Sequence, residues 1–281
     1  MRTHAAPTYA PKRRMLLALL AAPALALAQP AWTQQPPPLE LDVPYVPTPD
    51  DAVARMLEMA DVTAQDTVID LGSGDGRIAI AAVRDRGARS AMGVDIDPER
   101  IAEARANAKK AGLVDRVTFM QQDLFDTDIS KATVLTMYLL PDVNLKLRPR
   151  ILNSLAPGTR VVSHAFTMGE WDSDRHETVD GRSLYLWIVP AHAAGDWQVE
   201  DPAGPFTLSV RQDFQKVTAS AQRQGERLGV AEAALRGADL RFTVDAGAGP
   251  RTYIGRIQGD QMTAVQAPGN ESGWRATRRA P

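Results

Sequence analysis

The run Asp70-Leu71-Gly72-Ser73-Gly74-Asp75-Gly76-Arg77 restricts the fold of this chain more than any other segment. Three glycines at alternate positions let the backbone take positive φ and let another group approach it closely. The apolar run 67–71 before them reads as a strand, and Arg77 opens a helical pattern that runs to Arg86 and closes on Gly87. A strand that turns through glycines into a helix presents the free N–H groups of the helix start, which suit a negative or polar ligand. The same G-x-G-x-G spacing also occurs in ordinary tight turns, so its context decides. Here an acid, Asp70, precedes the glycines, and a second, Asp95, closes the next strand 19 positions after Gly76. A carboxylate at that place can accept both hydroxyls of a ribose, which points to a nucleoside-containing ligand.

The chain continues as alternating strand and helix. Ala91 to Asp95 is a strand, and Asp97 caps a helix with Pro98 in its first turn, an apolar face at Ile101, Ala104, Ala108 and Ala111, and Gly112 as its stop. Further strands are expected at 117–121, 133–138 and 160–166, with helical pattern over 143–155 and a closing apolar strand at 183–190. A βαβ series of this kind makes an α/β fold, a mainly parallel sheet with helices on both faces. Ligands of such sheets sit beyond the carboxyl ends of the strands, near the switch in strand order.

Three segments taken together, Asp70 to Gly76, Gly93-Val-Asp95-Ile-Asp97 and Gln122-Asp123-Leu124-Phe125, resemble the successive cofactor motifs of class I S-adenosylmethionine-dependent methyltransferases. The resemblance implies a Rossmann-like sheet and S-adenosyl-L-methionine as cofactor. It places Gly72, Ser73, Gly74 and Gly76 under the methionine part with Asp70 near its amino group, Asp95 and Ile96 at the ribose, and Asp123 and Leu124 at the adenine. A turn or helix cap is the other reading of Asp123. A narrower resemblance, over about 43–190, rests on Val43-Pro-Tyr-Val-Pro47, the uninterrupted 70–77 run, Tyr138-Leu-Leu-Pro141 and Pro157-Gly-Thr-Arg-Val-Val-Ser163. These look like the protein-lysine methyltransferases of mitochondrial membranes and their bacterial relatives. It implies a protein lysine as acceptor, with small-molecule methylation and cofactor binding without turnover as the alternatives.

A sulfonium methyl is already activated, so the protein's task is alignment and desolvation, and a lysine must lose its proton before it attacks. Tyr138, after the fourth sheet strand, is the candidate for orienting that amine, its ring also suited to stacking on a cation; plain packing is the other reading. Pro141 and Asn144 are near enough in sequence to shape the same rim, and Tyr45 and Thr48 are placed to close the cofactor side. His164 reads as a satisfied strand histidine before an acceptor-side base, and Trp171 and Trp187 as packing. No G-x-S-x-G elbow surrounds Ser163, which excludes a hydrolase dyad.

Composition removes other classes. The chain has no cysteine, which excludes disulfides and thiolate chemistry, and its four histidines show no H-x-x-x-H spacing, so no protein-built metal site is expected. A net charge of −2 gives no global field for nucleic acid. At the amino end, Lys12-Arg13-Arg14 before the apolar run Met15–Ala28, closing on Ala26-Leu27-Ala28, reads as a signal peptide over 1–28. That implies export, to the periplasm in a bacterium; an uncleaved inner-membrane anchor is the alternative, although about 14 apolar residues fall short of the ~20 that span a bilayer. Loss of 1–28 removes four basic residues and no acid, moving the balance from −2 to −6. A Pro/Gln-rich linker follows at 29–42. Residues 197–281 show period-two runs at 206–210, 240–244, 253–257 and 262–265 with a Gly259-Asp260 turn, and read as a small antiparallel β module.

Overall fold

The computed structural model describes residues 45–245 and 249–279. The expected signal segment and linker, and Val43, lie outside them. The first described element was not expected: α1, Asp50–Met59, follows Pro49 directly. Asp50 and Asp51 in its first turn complement the helix dipole, and Ala52, Val53, Met56 and Leu57 form its buried face. The proline-rich run before it hides this start, because Pro49 is the last extended residue.

The first half of the described chain then alternates as expected: β1 Thr67–Leu71, α2 Arg77–Arg84, β2 Ser90–Asp95, α3 Pro98–Lys110, β3 Val117–Gln121, β4 Val134–Met137, α4 Pro141–Ser154 and β5 Arg160–His164. Asp97 caps α3, its Oδ1 accepting the Glu99 N–H at 2.8 Å. β6 (Arg175–Val179) and β7 (Arg182–Ile188) form a hairpin, of which only β7 had a sequence signal. The seven strands run in the order β3-β2-β1-β4-β5-β7-β6, parallel through β5, with β7 antiparallel to both its neighbours. Alternation along each strand feeds two cores. Val68, Val134 and Val162 pack with α1, α2 and α3, while Ile69, Leu71, Leu135 and Val161 pack with Val143, Leu147 and Ile151 of α4.

The carboxyl-terminal module is larger than its four sequence runs. Eight antiparallel strands, β8 Gly195–Glu200, β9 Phe206–Asp213, β10 Lys216–Arg223, β11 Glu226–Arg236, β12 Asp239–Asp245, β13 Pro250–Gln258, β14 Gln261–Ala264 and β15 Arg275–Arg278, follow one another around a closed barrel. β15 pairs with β8, Arg278 opposite Trp197, and leaves no open edge. β10 and β11 carry few large apolar residues and alternate mostly exposed with half-buried positions, which is why they gave no signal. The turn at Gly259, at φ 60°, is where the sequence placed it. Phe206, Phe242, Tyr253 and Trp274 fill the interior as one contiguous set of rings. The barrel approaches the sheet closely at Gly237, whose carbonyl accepts the Ala191 N–H at 2.8 Å and where a Cβ would stand 3.0 Å from the Gly158 Cα.

Candidate active site

The strand order reverses at β1, so the carboxyl ends of β2, β1 and β4 lie side by side, and a cleft with about 1020 Å³ of empty space, part of it open to solvent, lies over them. The glycine loop is its floor. The N–H groups of Gly72 and Ser73 both reach the Val94 carbonyl at 2.9 Å, which draws the loop over the end of β2. Gly74 donates its N–H to Asp95 Oδ2 at 2.8 Å, and Asp95 Oδ1 accepts the Asp97 N–H at 3.0 Å. Asp95 thus joins the glycine loop to the start of α3 while lining the cleft.

The three glycines answer to different neighbours. All have positive φ, 72°, 51° and 81°. A Cβ would stand 2.8 Å from Leu139 at Gly72, 2.5 Å from the Tyr45 ring at Gly74 and 2.4 Å from Phe119 at Gly76. Gly72 and Gly74 line the cleft; Gly76 does not, and its lack of a side chain makes room for Phe119 of β3 and Ala104 of α3.

Asp70 is also outside the cleft wall. It is buried, Oδ1 accepts the Thr136 hydroxyl at 2.7 Å, and Oδ2 has no partner among the described residues. Burial pushes its carboxyl up to about 7, opposed by the Thr136 bond and aided by Asp95 and Asp75. The expected residues Ser73, Ile96, Asp123, Leu124 and Tyr138 all line the cleft. Asp123 caps its own turn, Oδ1 accepting the Phe125 N–H at 2.8 Å, and lies exposed in the cleft wall, so the capping reading and a binding role are compatible.

Tyr138 leaves β4 half-buried, its ring 4.0 Å from that of His164 and 6.2 Å from that of Phe166. Its packing and its place in the wall coexist. His164 is buried behind it, Nδ1 within 3.0 Å of the Thr48 hydroxyl, and burial, then the Arg182 charge, hold its pKa below the usual range. It is a bonded strand histidine, outside the cleft wall. Asn144 is buried rather than at the rim; its Nδ2 donates to Ser163 Oγ and to the carbonyls of Phe166 and Thr167. Pro141 is exposed at the start of α4 and does not line the cleft.

The segment Tyr45–Thr48 forms the remaining side of the cleft. Arg77 holds it: the guanidinium forks onto Asp75, nearest contact 2.6 Å, and donates to the Thr48 carbonyl at 3.0 Å. Arg100 lies 4.7 Å over the Tyr45 ring, and burial, then Asp75, raises the Tyr45 phenol. Sequence reasoning passed over Arg77 and Arg100. Each reads as a helix-surface charge until the segment before α1 is seen folded back.

The ANTKMT methyltransferase domain matches residues 70–175. A protein-lysine N-methyltransferase of Saccharolobus islandicus is 46% identical over 154 residues, 53% of this chain and 96% of that protein. The adenine nucleotide translocase lysine N-methyltransferase of Mus musculus is 34% identical over 60% of this chain and 71% of its own length. A crystal structure described as an RNA methyltransferase from Salinibacter ruber in complex with S-adenosyl-L-homocysteine aligns at TM-score 0.51 and 54% identity, covering 52% of this chain and 95% of that one. About half of this chain has no counterpart in that archaeal relative or in that solved structure.

Proposed function

The chain belongs to the S-adenosylmethionine-dependent methyltransferases of the ANTKMT type, and from that premise we propose that it N-methylates a lysine side chain of a protein. The observation that carries the lysine reading is the 46% identity to a protein-lysine N-methyltransferase over nearly all of that protein. Asp75, Asp95, Asp97 and Asp123 line the cleft against Arg77 and Arg100, an acidic excess that suits the cationic sulfonium of the cofactor and does not suit a polyphosphate chain.

The cleft's own atoms fit the cofactor. Ser73 Oγ is buried in its floor with no partner among the described residues, and the floor at Gly72 and Gly74 has no room for a Cβ. Gly72, Ser73 and Gly74 would hold the methionine part, Asp95 and Ile96 the ribose, Asp123 and Leu124 the adenine. Asp70 and Gly76 would act through the loop's shape, since neither lines the cleft. S-adenosylmethionine supplies, when bound, a methyl group on a sulfonium that needs no further activation.

The chain's residues then have to deliver a neutral amine in line. The ordinary lysine pKa is ~10.4, so transfer to a half-apolar site, walled by Phe125, Leu139 and Val143, favours the uncharged form that attacks. Tyr138, braced by His164 and Phe166, orients the amine with its hydroxyl or ring. Tyr45 and Arg100 keep water from the cofactor side.

The test offers the full chain labelled S-adenosylmethionine with a lysine-rich protein pool, structured RNA, and a metabolite extract in parallel. Label on protein lysine, lost in Tyr138→Phe while cofactor binding persists, supports the reading. Label on RNA or a metabolite alone refutes it and leaves the methyltransferase assignment intact.

A further inference from the structure

Besides the close approach at Gly237, the two halves meet at a hairpin that bears on the acceptor side. β9 and β10 are joined by a two-residue turn, Phe214–Gln215, with Asp213 opposite Lys216. Phe214 stands at φ 52°, in the left-handed region that a bulky side chain adopts at a cost and that hairpin turns usually give to glycine or asparagine. Its ring is committed to the other half. It stacks 6.1 Å from the Trp171 ring with the planes 14° apart, and the Arg148 guanidinium of α4 lies 5.5 Å from its centre. Beside it Gln215 Nε2 donates to the Asp172 carbonyl at 2.7 Å, and Lys216 pairs with the Asp172 carboxylate at 2.5 Å.

The segment gripped in this way, 165–174, connects β5 to β6, and it begins on a second strained residue, Ala165 at φ 67°. Phe166 follows, its ring stacked 6.2 Å from that of Tyr138 at 25°. Asn144 holds the Phe166 and Thr167 carbonyls, Arg148 holds the Met168 carbonyl at 2.8 Å, and Trp187 Nε1 holds that of Trp171 at 2.8 Å. Strained backbone persists only where its surroundings over-determine it, and two such residues, one in the hairpin and one at the head of the segment it grips, mark a place where position matters more than local stability.

We propose that Phe214 of the barrel is a positioning residue for the methyl acceptor: through Trp171 and Arg148 it fixes the 165–174 segment and so the Phe166 face behind Tyr138. This rests on the reading of Tyr138 as the residue that meets the acceptor. The barrel is then part of the acceptor site by way of its hairpin, although none of its residues lines the cofactor cleft.

Phe214→Gly in the full chain tests this, because glycine relieves the strained turn as it removes the ring. The expected result is a melting temperature little changed, the relieved strain offsetting the lost ring contacts, with unchanged affinity for S-adenosylmethionine and a KM for the acceptor raised about threefold to tenfold, the range an aromatic pair is worth. Hydrogen exchange should quicken at 165–171 and stay as it was at 70–76. Phe214→Trp should restore both readouts. Unchanged exchange at 165–171 with unchanged acceptor KM overturns the proposal, as does faster exchange throughout both segments with weakened cofactor binding. If the wild-type chain transfers no methyl to lysine, the lysine reading fails by itself, and the exchange measurement still decides the role of Phe214.

Discussion

The sheet half buries polar side chains at its working end, whereas the barrel buries rings. Asp70, Ser73, Thr136, Asn144, Ser163 and His164 are all sequestered near the carboxyl ends of β1, β4 and β5, and Asp70 Oδ2, Ser73 Oγ and Asn144 Oδ1 have no partner among the described residues. In the barrel Phe206, Phe242, Tyr253 and Trp274 fill the centre, and the buried polar exceptions are Asp201 and Thr207. An unpartnered buried polar atom costs about 1–3 kcal/mol; the barrel bears such atoms too, Asp201 Oδ2, Arg223 Nε and Trp274 Nε1, so what sets the sheet half apart is that its polar cluster sits beside the cleft. The difference teaches that stability and chemistry are divided between the halves, and it can be broken experimentally.

The largest expected effect is on the barrel. Phe242→Ala opens a cavity within the ring cluster and should cost about 3–5 kcal/mol. Denaturant unfolding followed at the barrel's tryptophans should show it while titration with S-adenosylmethionine stays unchanged; a parallel loss of cofactor affinity would mean the halves do not divide the work.

Asp70 gives the pH-dependent counterpart in the sheet. Its folded pKa of about 7 lies above the ordinary 3.8, so the folded chain keeps a proton that the unfolded chain has released between those values. The group's favourable contribution is therefore full below about pH 4, fades as pH rises, and is gone above about 7, a swing on the order of 4 kcal/mol. Asp70→Asn should flatten this slope in unfolding measurements from pH 4 to 8. The same slope in both proteins would place the buried charge elsewhere.

Asp95→Ala removes the acceptor of the Gly74 and Asp97 N–H groups along with the expected ribose contact. Calorimetric titration should find S-adenosylmethionine binding weakened about a hundredfold or more, with the barrel's unfolding unchanged. The smallest effect belongs to the hydrogen bond between Thr48 and His164. Thr48→Val should cost about 1 kcal/mol of stability and weaken cofactor binding slightly, because the Tyr45 segment remains held by Arg77 through the Thr48 carbonyl. Loss of all cofactor binding in Thr48→Val would give that hydrogen bond a far larger share of the closure.

The same division explains what could be read from the chain alone. The glycine loop, Asp97 with Pro98, and the stop at Gly112 were legible because each is a local backbone requirement. The helix α1 was hidden by the prolines before it, and β6, β10 and β11 by their exposure, since a strand without an apolar face has no period-two signal. Gly76 and Asp70 belong to the cofactor motif by spacing, yet only the packing of Phe119 and the enclosure of the Asp70 carboxyl reveal that they support the loop from outside the cleft.

By itself the sequence determined the order of elements, the parallel sheet, the glycine floor and Asp95 beside it, because those follow from dihedral freedom, hydrophobic period and short spacings along the chain. The tertiary structure alone decided that the segment at Tyr45 folds back under Arg77 and Arg100, that eight strands close into a barrel, and that Phe214 reaches Trp171. These are contacts between residues far apart in the chain. Their energies depend on which surfaces meet, a quantity that no local pattern encodes.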